Sequence, residues 1–445
     1  PEAQGPQSLG LFRAAHCAAM RQGSPLRCAP MPETTLVLPQ FEFRQVVAPL
    51  LLDRGRCAVA QLYRRDTPCG REFLVGDWSP RPTLPRGDEF PPLAEYAVLT
   101  SNTSGHLPAA RLPAVIEPKR SHTLLGIALE PLDRAAFPLT LWEHGETPPV
   151  SDIRFIGPGL LHLPDSTPAA LPVDQRASRT RGALPDVYDR LGTLSTILIG
   201  AGRGASELAR QLVAAGVRKL TIIDHDGLGP ENLDAMPHAT PRQIGRAKGV
   251  ILAQALRRNQ PDLAITCLSE SVTSTAALNY LDHTRADTVF SFVDNDAARL
   301  ATSWKCRQGW MVNVDIGTLI RHDAAGHRVM QADIRLFEPG RGCVACVPRL
   351  PNLDAALYEL SAPAGALHRG ASQTWEQERS GSLLHLNALA CALAVELWLG
   401  YVAGTVRTSH WIRVRWEAGA TPQIEAAAVQ AAEDCRFCHR DAILP

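Results

Sequence analysis

One stretch constrains the fold of this chain more than any other. A short apolar strand, Ser195–Ile199, runs straight into Gly200-Ala201-Gly202-Arg203-Gly204-Ala205-Ser206, and residues 205–215 then carry apolar side chains at helical spacing. Gly200 and Gly202 allow a tight turn and let backbone N–H groups approach a phosphate, while the helix N-terminus adds partial positive charge. The next strand, Lys219–Ile223, ends at Asp224, where an acid can accept from a ribose hydroxyl. The pattern then repeats, with a helix expected over 241–258, Pro241 at its start, and strands over 264–268, 288–292 and 311–314 separated by helices. Alternating strands and helices predict an α/β chain with right-handed crossovers and a Rossmann-like, mainly parallel doubly wound sheet. Taken alone, the glycine turn leaves two readings open, a nucleotide site or a Rossmann fold with an empty crevice. The third glycine of the usual G-x-G-x-x-G is Ala205.

A series of further residues narrows the choice. After Asp224-His225-Asp226 come Asn232-Leu233, Gly245-Arg246-Ala247-Lys248, Asn259-Gln260-Pro261 and, following a strand, Asp294-Asn295 with Arg299 one helical turn on. In order and spacing this resembles the ThiF/MoeB/ubiquitin-activating-enzyme (E1-like) adenylyltransferase family. The segment from Gly216 through Asp226 fits the family's G-V…D-x-D stretch, and the resemblance covers roughly residues 190–440. A nicotinamide enzyme has no reason to carry Asn232, Lys248 and Asp294 together.

The resemblance implies adenylation, the attack of a carboxylate on the α-phosphate of ATP with loss of pyrophosphate. Such a site needs positioned cations and N–H donors. It implies that Gly200 and Gly202 cradle the nucleotide with Asp224 and Asp226, that Asp224 binds the ribose, that Asn232 and Lys248 contact the triphosphate, and that Asp294 holds Mg²⁺, with Lys248 and Asp294 the catalytic residues. Read singly, Lys248 fits a solvated helix lysine equally, and Asp294 could simply cap the helix that follows it. The sequence departs from the family at Ala235, where the family carries Arg two residues after its Asn-Leu pair. Arg203, Arg242 and Arg246 are the nearby candidates to replace that charge.

Cys343-Val344-Ala345-Cys346 and Cys435-Arg436-Phe437-Cys438 supply four thiols as two C-x-x-C knuckles, enough for a closed tetrahedral Zn²⁺ site of structural type. Redox disulfides or unrelated buried thiols are the alternatives. The wide separation of the knuckles is similar to that of the ThiF/MoeB family. Activating enzymes that form a thioester carry a cysteine nucleophile after the first knuckle. The corresponding stretch here, 347–381, contains none; Cys391 reads as a core thiol and Cys306 as a non-catalytic helix position.

With 445 residues the chain exceeds one ordinary domain, and its 45% hydrophobic content suffices for more than one core. We expect an arm over 1–33, an N-terminal α/β accessory domain over 34–163, a Pro-rich linker over 164–186 and the adenylation domain over 187–445. In the accessory domain, strands are expected at 34–38, 57–63, 73–75, 97–99 and 122–128, with a helix between the first two. The strand–helix–strand opening over 34–63 and the segment 122–133 resemble a JAB/MPN isopeptidase fold. Leu124 to Asp133 lacks the His-x-His pair of that fold's zinc site, so a degenerate or docking domain is expected. The 45 basic and 45 acidic side chains cancel, which removes a global field for nucleic acid or an anionic membrane. The longest apolar run, 383–400, is interrupted by His385, Asn387 and Glu396, and a cytoplasmic location is the expectation.

The resemblance further implies a small ubiquitin-like or sulfur-carrier partner ending in Gly, a conjugating enzyme, a homodimer and a bacterial ubiquitin-like conjugation pathway. Sulfur-carrier activation for cofactor synthesis or tRNA thiolation, and an inactive adenylation fold serving as a scaffold, are the rival functions.

Overall fold

The computed structural model describes residues 34–39, 57–67, 70–81, 95–101, 124–129, 139–140, 152–163, 177–347 apart from 186 and 285, 356, 360, 382–417, and 421–438 apart from 434 and 436. The arm over 1–33 and the helix expected between the first two strands lie outside these residues.

Short β-branched and leucine-rich runs bounded by Gly, Asp and Pro make the strands of the second half. These are β9 (Ser195–Ile199), β10 (Lys219–Ile223), β11 (Ala264–Leu268), β12 (Thr288–Ser291), β13 (Val312–His322), β14 (Arg328–Phe337), β15 (His410–Trp416) and β16 (Gln423–Ala428). They form one sheet in the order β11-β10-β9-β12-β13-β14-β15-β16. Pairings from β11 to β13 are parallel, in register Lys219↔Ser195 and Ser291↔Asp315, whereas β13 to β16 pair antiparallel. The expected parallel, Rossmann-like sheet is therefore present, extended by an antiparallel half that the periodicity did not reveal. The strand expected over 311–314 is the first third of a long hairpin strand, since β13 continues to His322 and turns back through β14.

Seven helices are described: α1 (Ser178–Ala183), α2 (Tyr188–Thr193), α3 (Arg203–Ala215), α4 (Lys248–Asn259), α5 (Thr275–His283), α6 (Asp296–Gln308) and α7 (Leu384–Ala403). Helix α1 falls inside the expected linker, so part of 164–186 is ordered structure. The helix expected over 241–258 is split. Pro241–Gln243 form one 3-10 turn, Gly245 adopts φ +85°, and the α-helix begins only at Lys248. A left-handed residue cannot continue a right-handed helix, and it re-aims the chain so that Lys248 opens the helix.

Helix α7 is long and apolar enough to cross a membrane by length and composition, yet it is a core helix here. Trp398 and Tyr401 are fully buried, and the helix packs on α3, β13 and β14. Of the polar residues that interrupt it, His385 and Glu396 face out. Buried Asn387 accepts from the Thr318 hydroxyl at 2.9 Å and donates to Ser382 Oγ at 3.0 Å, so its polar group is satisfied.

The first half contributes a second eight-stranded sheet, ordered β6-β5-β4-β2-β3-β1-β7-β8. Its strands are β1 (Thr34–Pro39), β2 (Cys57–Thr67), β3 (Gly70–Arg81), β4 (Glu95–Ser101), β5 (Leu124–Leu129), β6 (Leu139–Thr140), β7 (Asp152–Ile156) and β8 (Leu161–Leu163). The five expected strands are all present. β3 in particular is far longer than 73–75, because it pairs with β2 from Gly70 to Arg81 and with β1 over Arg71 to Leu74. The two sheets share one hydrophobic core: Val37, Leu74, Ile156 and Leu160 join Leu198, Leu212 and Trp398. Buried Arg154 reaches across to Asp287 Oδ1 at 2.8 Å and to the Ala286 carbonyl at 2.9 Å, while the other oxygen of Asp287 accepts from the Ser195 N–H at 2.7 Å. This contact lies at the amino ends of β9 and β12, the edge opposite the glycine turn.

Candidate active site

At the carboxyl end of β9 the chain turns through Gly200 at φ +101°, a conformation that disfavours any side chain. A Cβ there would also lie 2.8 Å from the Phe292 carbonyl oxygen. Gly204 takes on the close-packing role of the missing third glycine, since a Cβ on it would run into the Phe292 ring at 2.3 Å. Ala205, one position later, is buried without strain beneath Gly200. Gly202 precedes α3 in an extended conformation, and the Gly200 N–H donates to the Ile223 carbonyl at 2.8 Å.

Asp224 stitches this turn to the next strand end. One carboxylate oxygen accepts from the Ala201 N–H at 2.7 Å and the other from the Asp226 N–H at 2.9 Å. Each carboxylate oxygen has a second lone pair, so Asp224 can still receive a hydroxyl. Burial pushes its carboxyl up from the usual value, against the pull of the two backbone N–H groups.

Lys248 is not a solvated helix lysine. It is 9% exposed, and its ammonium donates to Asp226 Oδ2 at 2.9 Å, while its backbone N–H donates to the Asp226 carbonyl. Buried Asn232 ends a 3-10 turn, Pro230–Asn232, where its Oδ1 accepts from the Gly229 N–H at 3.0 Å. Arg203, the first residue of α3, donates to the Glu231 carbonyl and pairs with Asp234 Oδ1 at 2.8 Å. It thereby ties the glycine turn to the Asn232 turn. Ala235 is buried, and Arg242 and Arg246 are exposed.

Asp294 sits exposed beyond the end of β12. The cap of α6 is Asn295, whose side chain accepts from the Ala298 N–H at 2.7 Å, so the capping role considered for Asp294 is already filled. The loop is held by Arg299, which donates to the Val293 carbonyl and, at 2.7 Å, to the buried carboxylate of Asp315. Burial by itself would raise the Asp315 pKa. The guanidiniums of Arg299 and Arg335 and the Ser291 hydroxyl outweigh it and hold the carboxyl below the ordinary range. Sequence reasoning missed Asp315 and Arg335; the available signal was an acid inside the apolar run Val312-Asn313-Val314-Asp315-Ile316.

The four knuckle cysteines converge although 92 residues separate Cys343 from Cys435. Their sulfurs lie within 4.8 Å of one another, with Cys343–Cys346 at 3.7 Å, Cys343–Cys435 at 3.6 Å and Cys346–Cys438 at 3.4 Å. A zinc–sulfur bond of about 2.3 Å gives a tetrahedral edge of about 3.8 Å, so the cluster fits a metal ion such as zinc. The cluster also grips α6: the Val344 N–H donates to Ser303 Oγ at 3.3 Å, and Arg307 donates to the Cys438 carbonyl. Helix α6 thus runs from the Asp294 loop to the cysteine knot.

Cys391, Cys306 and Cys267 are poor nucleophiles. Cys391 is fully buried and its thiol donates to the Gly204 carbonyl at 3.3 Å, and burial raises the thiols of Cys391 and Cys306. Burial also pushes Cys267 up to about 11.

Residues 176–373 match the model of the ThiF family. The chain is 23% identical over 197 residues to ubiquitin-like modifier-activating enzyme 5 of Xenopus laevis, covering 41% of this chain and 48% of that protein. It is 25% identical over 192 residues to the protein of the same name from Gallus gallus, covering 40% and 46%. The chain thus spans about half the length of the curated relatives it matches. Among solved structures, E. coli MccB with ATP aligns at TM-score 0.45 and 15% identity over 60% of this chain and 75% of that one. MccB in complex with N-formylated MccA aligns at TM-score 0.46 and 14% identity, over 61% and 77%. Glycine turn, Asp224, Lys248 and the Asp294 loop all fall within the matched segment, and residues 176–373 of this chain are a ThiF family domain.

Proposed function

We propose that the chain is an ATP-dependent adenylyltransferase that activates the C-terminal carboxylate of a small ubiquitin-like or sulfur-carrier protein ending in glycine. One observation carries this reading. At the carboxyl edge of the parallel strands, beside a left-handed glycine turn, two helices each begin on a cation, Arg203 on α3 and Lys248 on α4. A cation at a helix N-terminus opposes the helix dipole by about 0.3–1 kcal/mol. Two such placements at one crevice suit a polyanion that both helix ends and both side chains attract. The ThiF match and the relatives' name, activating enzymes for a ubiquitin-like modifier, support the same reaction class.

In the reaction, an oxygen of the carrier's terminal carboxylate attacks the α-phosphorus of ATP. A new P–O bond forms, the bond to the bridging oxygen of the β-phosphate breaks, and pyrophosphate leaves with that electron pair. Negative charge shifts across the phosphate oxygens, which Lys248, Asn232 and the N–H groups at the start of α3 would stabilise. Asp224 receives the ribose hydroxyl. Asp294 presents a carboxylate outside the helix cap and would hold Mg²⁺, which supplies a hard cation for the phosphates. Zinc held by Cys343, Cys346, Cys435 and Cys438 would cross-link the fold. The absence of a cysteine in 348–381 and the burial of Cys391 favour release of the acyl-adenylate to an external acceptor over a thioester on this chain. A homodimer and a bacterial conjugation pathway with its own conjugating enzyme belong to the same proposal.

A second reading, an adenylation fold acting as a scaffold, is favoured by the buried Ala235. Exchange of radiolabelled pyrophosphate into ATP separates the two, assayed with Mg²⁺ and a glycine-ending carrier encoded beside this chain. Exchange that requires the carrier's last glycine is expected. ATP binding without exchange would establish the scaffold, and absence of ATP binding would overturn both nucleotide roles.

A further inference from the structure

We infer that Arg203 is a phosphate-binding residue, the cation that grips the pyrophosphate half of ATP and that exchanges its present carboxylate partner for the nucleotide. The inference rests on the adenylation reading above. Among the three arginines near the Asn232 turn, Arg242 and Arg246 are exposed, and Arg246 donates to Gln254 Oε1 of the following helix α4 at 3.2 Å. Only the Arg203 side chain lies in the crevice, 14% exposed, between the glycine turn that carries it and the Asn232 turn that it contacts. A third segment approaches the same guanidinium, the Ser382 carbonyl at 3.5 Å, just before α7.

The partner explains why the arrangement is exchangeable. Asp234 meets Arg203 at 2.8 Å, but its own side chain is 68% exposed. Its carboxylate loses little hydration in the pair and returns to water readily, so the ion pair contributes little net stability. A triphosphate offers the same fork several oxygens, reinforced by the N-terminus of α3. Gly200 and Gly202 face the α-phosphate side of a nucleotide whose ribose is at Asp224. Arg203 is the next residue along the turn, which assigns it to the β- and γ-phosphates and hence to the leaving group.

Calorimetric titration of the full chain with Mg²⁺ plus a non-hydrolysable ATP analogue, and separately with AMP, tests this. Arg203→Gln is expected to weaken the ATP analogue by about tenfold or more while AMP affinity changes by less than about twofold. Arg203→Lys retains part of the preference, since it keeps the charge but not the fork. Asp234→Asn, which removes the competing carboxylate, leaves ATP affinity unchanged or raises it. Equal loss of ATP and AMP in Arg203→Gln, or Asp234→Asn reproducing the Arg203→Gln defect, would make Arg203 a tie between two loops and overturn the inference. So would unchanged ATP binding in Arg203→Gln. Wild-type protein that binds neither nucleotide overturns the adenylation reading itself, and this inference with it.

Discussion

The two halves of the second sheet treat charge in opposite ways. In the parallel half, the two cations that open helices at the carboxyl edge lean on partners that remain wet: Lys248 on Asp226, half exposed, and Arg203 on Asp234. In the antiparallel half, charges form a dry ladder. Arg299 and Arg335 share Asp315, and Arg335 and Arg413 share Asp333, with Arg413 also stacked on Trp411. Asp315 is fully buried. A buried carboxylate with two guanidiniums is held by all of them, and removing one member strands the others. A half-exposed pair can be taken apart by solvent or by a ligand. One half is thus built to exchange partners and the other to keep them.

Removal of a member from each half is the strongest way to break that comparison. Asp315→Ala should lower unfolding free energy by about 3–5 kcal/mol, read from the denaturant midpoint. Lys248→Ala should leave the midpoint within about 1 kcal/mol yet reduce pyrophosphate exchange by about 10²–10³-fold. Similar stability losses in the two variants would erase the distinction.

Gly200→Ala comes next. A methyl group at φ +101°, 2.8 Å from a backbone oxygen, should cost about 1–3 kcal/mol and reduce ATP affinity. Gly202→Ala, with nothing within 4 Å of its notional Cβ, should be milder in the same thermal melt.

Stripping the cysteine cluster with a chelator, or Cys435→Ser, should lower the melting temperature and release the carboxyl end of α6. Because the other end of α6 begins at the Asp294 loop, hydrogen exchange in 294–299 should rise as metal is lost. Exchange confined to the knuckles would show that the helix does not transmit the change.

The smallest effect expected is on the acid limb of stability. Burial raises the Asp224 pKa, so the native state takes up a proton there before the unfolded chain does, and acidification through that folded value slightly favours folding. In Asp315 and Asp333 the guanidiniums overcome burial and depress the pKa. Their contribution is present above the unfolded value of about 3.9 and is lost as pH falls through the folded values. Stability should therefore hold or rise slightly on mild acidification and collapse only below about pH 4. Nucleotide binding should weaken at a higher pH than the collapse, as Asp224 protonates.

Much of the parallel half was legible in sequence because its signals are local. Gly200 must be glycine for steric reasons, Asp224 follows its strand at a fixed distance, and a C-x-x-C pair announces itself within four residues. β9, β10 and β11 match their expected bounds, since an apolar run between a glycine turn and a polar break can end in few places. Helix α4 was misjudged because Pro241 is an equally good start for a 3-10 turn, and the left-handed Gly245 that separates that turn from Lys248 leaves no mark on hydrophobic periodicity. The antiparallel half was missed where alternation is interrupted by buried ions: Asp315, Asp333, Arg335 and Arg413 look like surface residues until they are seen together.

The sequence by itself determined the glycine turn, the acid that closes it, the paired cysteine knuckles and the parallel character of the sheet, since each depends on the stereochemistry and spacing of neighbours along the chain. The tertiary structure alone decided which charge meets which: Lys248 with Asp226, Arg203 with Asp234 and not Arg242 or Arg246 beside Asn232, Arg299 with Asp315, and Arg154 locking the first sheet to the second. The energy of an ion pair depends on burial and on a separation of a few ångströms, and these are set by how distant segments pack.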